Sequence, residues 1–307
     1  MLEAQWAKGN FVCVGLDSEF MKLPDAIGKE NPLDAILAFN VAIVDATRDL
    51  ACVYKPNIAF YEAYGDLGAK ALRNTVSHIN KIAPGVPIIL DAKRGDIGST
   101  NHGYARSAFG EVWGFHADAI TVSPYLGGEA LKPFLDNKEK GIIVLCRTSN
   151  PGAGEFQDLS VEPTYEDAMK WGLAMESPNR DPDACWVSNK LPLYQHVAYR
   201  VSREWNANRN CALVVGATYP EELEDVRKIV GGMPILIPGI GAQGGDLEAT
   251  VAAGKDSRGR GMIINSSRGI IFASNGPDFA DAARRETIKL RDAIRQCLAR
   301  TEEVSHG

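Results

Sequence analysis

The sequence lacks the long apolar runs of a membrane protein. Its apolar runs are short and interrupted by glycine, proline or charged residues, whereas a membrane helix needs roughly 18 to 20 apolar residues. The N-terminal residues do not form a basic region followed by an apolar stretch, so no secretory signal is expected. Lysine and arginine are scattered and the net charge is -6, which argues against nucleic acid and anionic membranes as partners. We therefore expect a soluble, cytoplasmic protein that binds a small molecule.

Cysteine and histidine are also scarce. Six cysteines and five histidines occur among 307 residues, without a CxxC pair and without the spacing of zinc ligands. Most of the cysteines lie in apolar, strand-like runs, which favours buried reduced thiols over disulfides or metal ligands. The six are Cys13, Cys52, Cys146, Cys185, Cys211 and Cys297.

What the chain does contain is a repeated alternation of short apolar runs with longer amphipathic stretches. This alternation is typical of parallel βα units. Eight such units in a chain of this length predict a TIM (β/α)8 barrel, with residues 1–307 forming a single domain. A doubly wound sheet is the alternative, but it typically uses about five or six strands and carries a GxGxxG turn, which is absent after the first run. The predicted strands are 11–16, 51–54, 86–90, 119–122, 141–146, 212–215, 235–237 and 262–264.

Two helix starts support this pattern. Asn31-Pro32 precedes a run to Leu50, and Tyr219-Pro220 precedes a run to Val230. Proline favours the first turn of a helix because that turn leaves its N–H groups without intrahelical partners.

The gap between the fifth and sixth predicted strands is longer than the others. Within it, residues 152–190 are rich in proline, acidic residues and asparagine. This segment is too short and too polar for an independent domain, so it predicts an elongated loop inserted after strand 5. Two roles remain open: a lid over the site, or a decorative or interface insertion.

Charged side chains follow the first three predicted strands. Asp91, Lys93 and Asp96 alternate in sign after the third strand, where they need either solvent or a function to offset desolvation and repulsion. Asp17 and Lys55 follow the first and second strands. Singly, Asp17 could cap a helix and Lys55 could extend to solvent, and the third group could be a plain ion-pair loop. In a barrel, however, consecutive strand ends lie side by side at the mouth, so these groups would converge.

Glycine-rich and serine-rich turns follow the last two predicted strands. Residues 238–245 follow the seventh strand, and residues 265–269 follow the eighth and include Arg268. Either turn alone could be a tight corner. Together they match the usual phosphate site of a TIM barrel, where backbone N–H groups approach the anion and an arginine forks onto its oxygens.

This combination indicates a particular kind of chemistry. A lysine between carboxylates stays protonated, so it is a better general acid than a Schiff-base nucleophile. A cationic acid suits a reaction that forms a carbanion. A substrate carboxylate beside Asp91 would be repelled until carbon dioxide leaves, and a phosphate grip could supply the binding energy that holds it there.

The residues 91–97, Asp-Ala-Lys-Arg-Gly-Asp-Ile, resemble the DxKxxDI signature of the orotidine 5'-monophosphate decarboxylase family. Matches at 15–17, 55–57, 238–243 and Arg268 extend the resemblance over essentially the whole barrel. The elongated loop after the fifth strand is similar to that of the longer bacterial form.

The resemblance implies conversion of orotidine 5'-monophosphate to UMP and carbon dioxide, the last step of de novo pyrimidine synthesis, without metal or cofactor. It implies that Lys93 protonates C6 of the pyrimidine and that Asp91 lies near the departing carboxylate. Asp17 and Lys55 would hold the ribose hydroxyls and complete the charged array.

The resemblance also implies a homodimer. Asp96, with Ile97 and Thr100, would serve the neighbouring subunit's site. The remaining implied contacts are Ser149 to the pyrimidine and a phosphate-side set of Pro238, Gln243, Ser267 and Arg268. Ser267 stands where glycine is expected, which weakens the case for a backbone phosphate contact there.

Two other functions share parts of this pattern. A sugar-phosphate decarboxylase or aldolase with a DxKxxD motif would use a magnesium-bound enediolate and a carboxylate after the second strand, where this chain has Lys55. A non-catalytic nucleotide-binding barrel should have lost the acid, yet Lys93 is present.

Overall fold

A computed structural model describes residues 1–173, 190–240 and 245–306, with side chains through residue 301. The strands are β1 Val12–Leu16, β2 Ala51–Pro56, β3 Ile89–Arg94, β4 Ala119–Val122, β5 Gly141–Arg147, β6 Ser160–Val161, β7 Leu191–Pro192, β8 Cys211–Val215, β9 Ile235–Pro238 and β10 Met262–Ser266. The α-helices are α1 Leu2–Trp6, α2 Pro32–Thr47, α3 Ala59–Glu62, α4 Gly65–Ile82, α5 Gly98–Phe109, α6 Gly127–Leu135, α7 Gly154–Gln157, α8 Tyr165–Trp171, α9 Leu193–Arg200, α10 Pro220–Val230, α11 Leu247–Gly254, α12 Arg268–Ile271 and α13 Phe279–His306. A 3-10 turn spans Phe20–Lys22, and a π-helical turn spans Val201–Trp205.

Eight of these strands form one parallel sheet in the order β2-β1-β10-β9-β8-β5-β4-β3. Parallel bridges Tyr54 to Ile88 and Asn57 to Asp91 join the two outer strands. These bridges close the sheet into a ring, which a doubly wound sheet does not do. The predicted TIM barrel is therefore confirmed, and all eight predicted strands are found.

The barrel strands are largely apolar up to their C-terminal ends because helices cover the outside while side chains fill the interior. β1 and β8 are buried at every residue. On the outer layer, α2 buries Phe39 and Ile43 completely. Each large apolar side chain so buried contributes roughly 1.5 to 3 kcal/mol to folding.

Both predicted helix starts are confirmed. The Asn31 side chain accepts a hydrogen bond from Asp34 N at 3.0 Å, and Pro32 is the first residue of α2. Pro220 likewise opens α10, which ends at Val230 as predicted, whereas α2 ends at Thr47.

The third strand departs from its predicted boundaries. It begins at Ile89 and continues to Arg94, four residues beyond the predicted end at Leu90. Its register with β4 shifts between Leu90 and Arg94, and Lys93 has φ of 49°. A bulge of this kind keeps the chain paired while turning side chains toward a new direction. Asp91 and Lys93 therefore lie within the end of the strand and not in a loop after it.

The described part of the 152–190 segment contains regular structure. It includes α7, β6 and α8, and β6 pairs antiparallel with β7. Asp167 on α8 accepts a hydrogen bond from Arg200 on α9 at 2.5 Å. The predicted elongated loop after strand 5 is found, and ion pairs and a short hairpin order its residues 154–171. Residues 174–189 lie outside the described part, and the lid remains a prediction.

Five of the six cysteines lie among the described residues. Cys13, Cys52, Cys146, Cys211 and Cys297 are all buried free thiols. This confirms the expected thiols at these five positions, and Cys185 lies outside the described residues. In the part of the chain that the structure describes, no helix has the length and apolar character needed to cross a bilayer.

Candidate active site

The ends of β1, β2 and β3 bring a lysine between two carboxylates. Lys55 Nζ lies 3.0 Å from Asp91 Oδ2 and 3.9 Å from Asp17 Oδ1. Lys55 is only 4 % exposed, so it does not extend to solvent. Asp17 precedes a short 3-10 turn without capping it. The predicted convergence of these side chains is confirmed.

Charge and burial act in opposite directions on this pair. Burial alone would lower the pKa of Lys55, but the negative charges of Asp91 and Asp17 outweigh it and hold that pKa above its ordinary value. Burial alone would raise the pKa of Asp91, but Lys55 and Lys93 outweigh it and hold that pKa well below the usual range. Lys55 and Asp91 are therefore both charged across the physiological pH range.

Lys93 completes the array on the outer side. Its Nζ lies 2.7 Å from Asp91 Oδ1, and its side chain is 50 % exposed. Asp91 thus receives one lysine on each carboxylate oxygen. The left-handed backbone of Lys93 costs roughly 1 to 2 kcal/mol for a residue with a Cβ. That conformation is maintained because the surrounding hydrogen bonds hold the bulge of β3.

A polar cavity of about 160 Å³ adjoins the lysine array. It is lined on one side by Asp17, Lys55 and Asp91, and on the other by the turns that follow β9 and β10. The predicted residues Pro238, Ser267 and Arg268 are among the lining residues of those turns. Asp17, Lys55 and Asp91 therefore share one cavity with the predicted phosphate turns. Lys93 is not among the lining residues, but it contacts Asp91, which is.

Ser267 fits because Gly15 faces it. A Cβ on Gly15 would lie 1.9 Å from Ser267 Oγ, so no larger residue is accommodated at position 15 without displacement. Asn265 Nδ2 also donates to Ser267 Oγ at 3.5 Å, while its Oδ1 accepts from Cys13 Sγ at 3.4 Å. The serine that replaces the expected glycine is thus held against β1.

Asp96 lies away from this cavity. Its Oδ1 accepts a hydrogen bond from Ile97 N at 2.7 Å, and its backbone N and O are both bonded to the side chain of Asn101. Ile97 is 60 % exposed and precedes α5, which includes Thr100. Asp96, Ile97 and Thr100 are not among the residues that line the 160 Å³ cavity of their own subunit.

Ser149 lies apart from this cavity. Ser149 follows β5 and packs against Gly216, where an added Cβ would lie 2.8 Å from Ser149 Cβ. Ser149 is not among the residues that line the 160 Å³ cavity. Gln243 lies outside the described residues. On either side of the residues that are not described, Ile240 and Gly245 form a parallel bridge.

The sequence prediction missed several residues that shape the site. Thr121 on β4 bonds Asp91, and Asn101 on α5 holds the backbone of Asp96. Both are buried. The sequence signal for Thr121 is a polar residue within the apolar run 119–122, whereas Asn101 lies in a polar stretch that gives no such signal. Arg147, at the end of β5, is buried in ion pairs with Glu222, in the first turn of α10, and with Asp158, which directly follows α7.

A larger cavity of about 640 Å³ lies between the loop after β4 and α9. Its lining is largely apolar and includes Tyr125, Phe156 and Trp205. None of the charged array lines it. The smaller polar cavity is therefore the better candidate for the chemistry.

Comparisons with known proteins show which family the chain is similar to. The model of the orotidine 5'-phosphate decarboxylase / HUMPS family matches residues 10–283. An orotidine 5'-phosphate decarboxylase of Cellvibrio japonicus is 45 % identical over 294 residues, covering 95 % of this chain and 96 % of the relative. That of Ralstonia pickettii is 47 % identical over 296 residues, covering 96 % and 97 %.

A solved structure extends the likeness to three dimensions. The OMP decarboxylase of Leishmania donovani superposes with a TM-score of 0.73 at 35 % sequence identity, covering 96 % of this chain and 97 % of that one. The fold and the length of the match agree. This chain belongs to the orotidine 5'-phosphate decarboxylase / HUMPS family.

Proposed function

We propose that this protein decarboxylates orotidine 5'-monophosphate to UMP and carbon dioxide, in pyrimidine biosynthesis. The observation that carries the proposal is the charged array of Asp17, Lys55, Asp91 and Lys93 beside a polar cavity that contains Arg268. Relatives of the same length, 45 to 47 % identical, bear the name of this enzyme.

Lys93 is the proposed general acid. The bond between C6 and the carboxylate carbon breaks, the electron pair stays on C6, and carbon dioxide leaves. The proton on Lys93 Nζ then moves to C6, and the half-exposed lysine regains a proton from solvent. The ammonium also stabilises the developing negative charge before it transfers the proton.

Asp91 has two proposed effects. It remains ionised because Lys55 and Lys93 flank it, so a substrate carboxylate placed beside it is repelled in the ground state. The repulsion disappears when the neutral carbon dioxide departs. Asp91 also holds Lys93 Nζ at 2.7 Å, which fixes the position of the acid.

The other end of the substrate supplies the binding energy. We assign the phosphate to Arg268 and Gln243, with Pro238 and Ser267 lining the same region. Arginine can donate two parallel hydrogen bonds to a phosphate, which fixes distance and orientation together. The binding energy gained at the phosphate offsets the repulsion between the substrate carboxylate and Asp91. Binding far from the reacting carbon is thereby used to raise the rate.

Ribose and base contacts complete the assignment. Asp17 and Lys55 are the proposed partners of the ribose hydroxyls, and Asp17 Oδ1 is buried without a hydrogen bond of its own. A hydroxyl donor would satisfy that oxygen. Ser149 is the proposed contact to the pyrimidine.

The magnesium-dependent rival is disfavoured by the donor set. It needs a carboxylate at the end of β2, and the side chain there is Lys55, which is buried and charged. A buried ammonium repels a divalent cation. We therefore propose that turnover requires no metal and no cofactor.

We also propose a homodimer in which Asp96, Ile97 and Thr100 enter the partner's site. Support comes from Asp96 and Ile97, which lie outside the site of their own subunit, and from the 60 % exposure of Ile97. Tyr125, which follows the neighbouring strand β4, is 85 % exposed. An aromatic and an aliphatic side chain exposed near the same rim are typical of a surface that another subunit covers.

The domain organisation and the location of the protein remain proposals. We propose that residues 1–307 are one domain with an insertion at about 152–190 that serves as a lid or as an interface element. Cytoplasmic location is likewise retained from the sequence.

The direct test is the loss of ultraviolet absorbance when the purified protein consumes orotidine 5'-monophosphate. Turnover should proceed equally with and without EDTA. A folded sample that leaves the absorbance unchanged would contradict the decarboxylase proposal, and turnover that stops with EDTA and returns with magnesium would favour the rival.

A further inference from the structure

Thr121 lies directly behind the two catalytic candidates of β3. It belongs to the neighbouring strand β4 and is only 1 % exposed. Its Oγ1 lies 2.9 Å from Asp91 Oδ1 and 2.9 Å from the backbone N of both Ala92 and Lys93. Three atoms of β3 therefore form hydrogen bonds with one hydroxyl group.

The bonding capacity of that hydroxyl determines its orientation. A threonine hydroxyl has one hydrogen to donate and two lone pairs to accept with. The two backbone N–H groups occupy both lone pairs, so the hydrogen is left for the Asp91 carboxylate. The hydroxyl thus links the charge of Asp91 to the backbone that carries Lys93.

The backbone at this point requires such support. β3 and β4 change register between Leu90 and Arg94, so the regular ladder between the two strands is interrupted there. Lys93 has φ of 49°, a conformation that residues with a Cβ rarely adopt. Because the ladder is interrupted, the Thr121 hydroxyl replaces it as acceptor for two successive N–H groups.

We propose that Thr121 is a positioning residue that sets the place of Lys93 Nζ relative to the reacting carbon. The same carboxylate oxygen, Asp91 Oδ1, accepts from Thr121 Oγ1 and from Lys93 Nζ. Loss of the hydroxyl releases the backbone and the carboxylate together, so the acid moves away from its position. Thr121 does not line the cavity, so ground-state binding of the nucleotide is retained. This inference rests on the proposed acid role of Lys93.

The test replaces the hydroxyl by a methyl group of similar size. Thr121→Val should lower kcat about 10- to 100-fold, as expected when a hydrogen bond to a charged group is lost. The dissociation constant for UMP should stay within about threefold. Thr121→Ser keeps the hydroxyl and should retain kcat within a few fold. Thr287→Val is the matched control, because Thr287 is also fully buried but bonds Ala283 O in α13.

A normal kcat in folded Thr121→Val would overturn the inference, as would an equal loss of kcat in Thr121→Ser. A weakened UMP affinity with unchanged kcat would assign Thr121 to nucleotide binding and would also contradict the inference. If the valine variant does not fold, Thr121→Ala carries the same test. Lys93→Ala, measured in parallel, distinguishes failure of this inference from failure of the proposed acid role. Normal turnover there removes the acid role itself, while an inactive Lys93→Ala beside a normal Thr121→Val removes only this inference.

Discussion

The end of β3 and the turns after β9 and β10 contribute to one cavity but are built differently. At β3 the protein itself supplies the counter-charges, since Asp91 is bonded to Lys55, Lys93 and Thr121. At the turns, Arg268 is exposed at the mouth of the cavity. The first region has its charges already positioned, and the second offers a cation to an incoming anion.

Because the two regions are built differently, the end of β3 should act mainly on the catalytic rate and the turns mainly on substrate affinity. Groups that are fixed in place lose little freedom when charge develops, so they act chiefly on the transition state. An exposed arginine gains its partner only when the phosphate binds, so it acts first on affinity. Variants in the two regions should therefore change different kinetic constants.

The largest effect is expected from Lys93→Ala. Loss of the acid and of its charge should lower kcat by at least roughly 10³-fold, because proton transfer and charge stabilisation disappear together. UMP should still bind. Steady-state turnover and calorimetric UMP titration measure the two quantities, with Lys228→Ala on the outer helix α10 as an exposed-lysine control. A kcat near that of the control would contradict the acid role.

Asp91→Asn tests how far the β3 region depends on its own ion pairs. The change removes the carboxylate that both lysines contact and leaves Lys55 with only the more distant Asp17, so the free energy of unfolding at pH 7 should fall by on the order of 3 kcal/mol. Asp17→Asn is the control, because Asp17 lies farther from Lys55, at 3.9 Å. Denaturant titrations compare the variants. An equal loss for both would show that Asp91 is not the principal counter-charge.

The pH dependence of that stability has a defined sign. The folded-state pKa of Asp91 lies below its ordinary value of 3.8. Its stabilising contribution is therefore fully present above about pH 4 and is lost as the pH falls through the folded-state value. The difference between wild type and Asp91→Asn should stay constant from pH 7 to about pH 5 and shrink only in stronger acid. Thermal melts of both proteins over pH 3 to 7 measure this difference in stability. A difference that changes near neutrality would contradict the assignment.

Arg268→Ala tests the second region. Loss of the phosphate contact should weaken UMP affinity about 10- to 100-fold and lower kcat/KM for orotidine 5'-monophosphate by at least as much, since phosphate binding energy is used at the reacting carbon. Arg285→Ala provides a control, because Arg285 is an exposed arginine on α13 paired with Asp278. Unchanged UMP affinity would remove Arg268 from the phosphate grip.

The smallest signal comes from mixing two inactive variants. Asp96→Ala and Lys93→Ala subunits, mixed under conditions that allow exchange, should recover about a quarter of the wild-type activity, because half of the dimers are mixed and each has one complete site. Each variant incubated alone is the control. Mixtures that stay inactive although mass spectrometry detects mixed dimers would contradict a shared site.

Much of this architecture is readable from the residue pattern. Apolar runs of strand length gave the eight barrel strands, and Asn31-Pro32 and Tyr219-Pro220 gave two helix starts. Lys55 and Asp91 were predicted to meet because parallel strands end at one rim. These predictions succeed because they depend on local periodicity and on one rule about barrel topology.

Other features depend on contacts between distant segments. The extension of β3 to Arg94 and the left-handed Lys93 arise from pairing with β4, which no local pattern encodes. The Thr121 hydroxyl and the fit of Ser267 over Gly15 likewise join residues that are far apart in the chain. The sequence around a single threonine or glycine does not indicate which distant residue it will contact.

By itself, therefore, the sequence determined the barrel, the order of its strands and the set of charged side chains at its mouth, because these follow from short-range patterns. Only the tertiary structure decided which oxygen of Asp91 meets which lysine, how β3 bulges and which hydroxyl supports it. The physical reason is that register and hydrogen-bond geometry are set between strands, where the accumulated packing of the whole barrel fixes positions to within a fraction of a bond length.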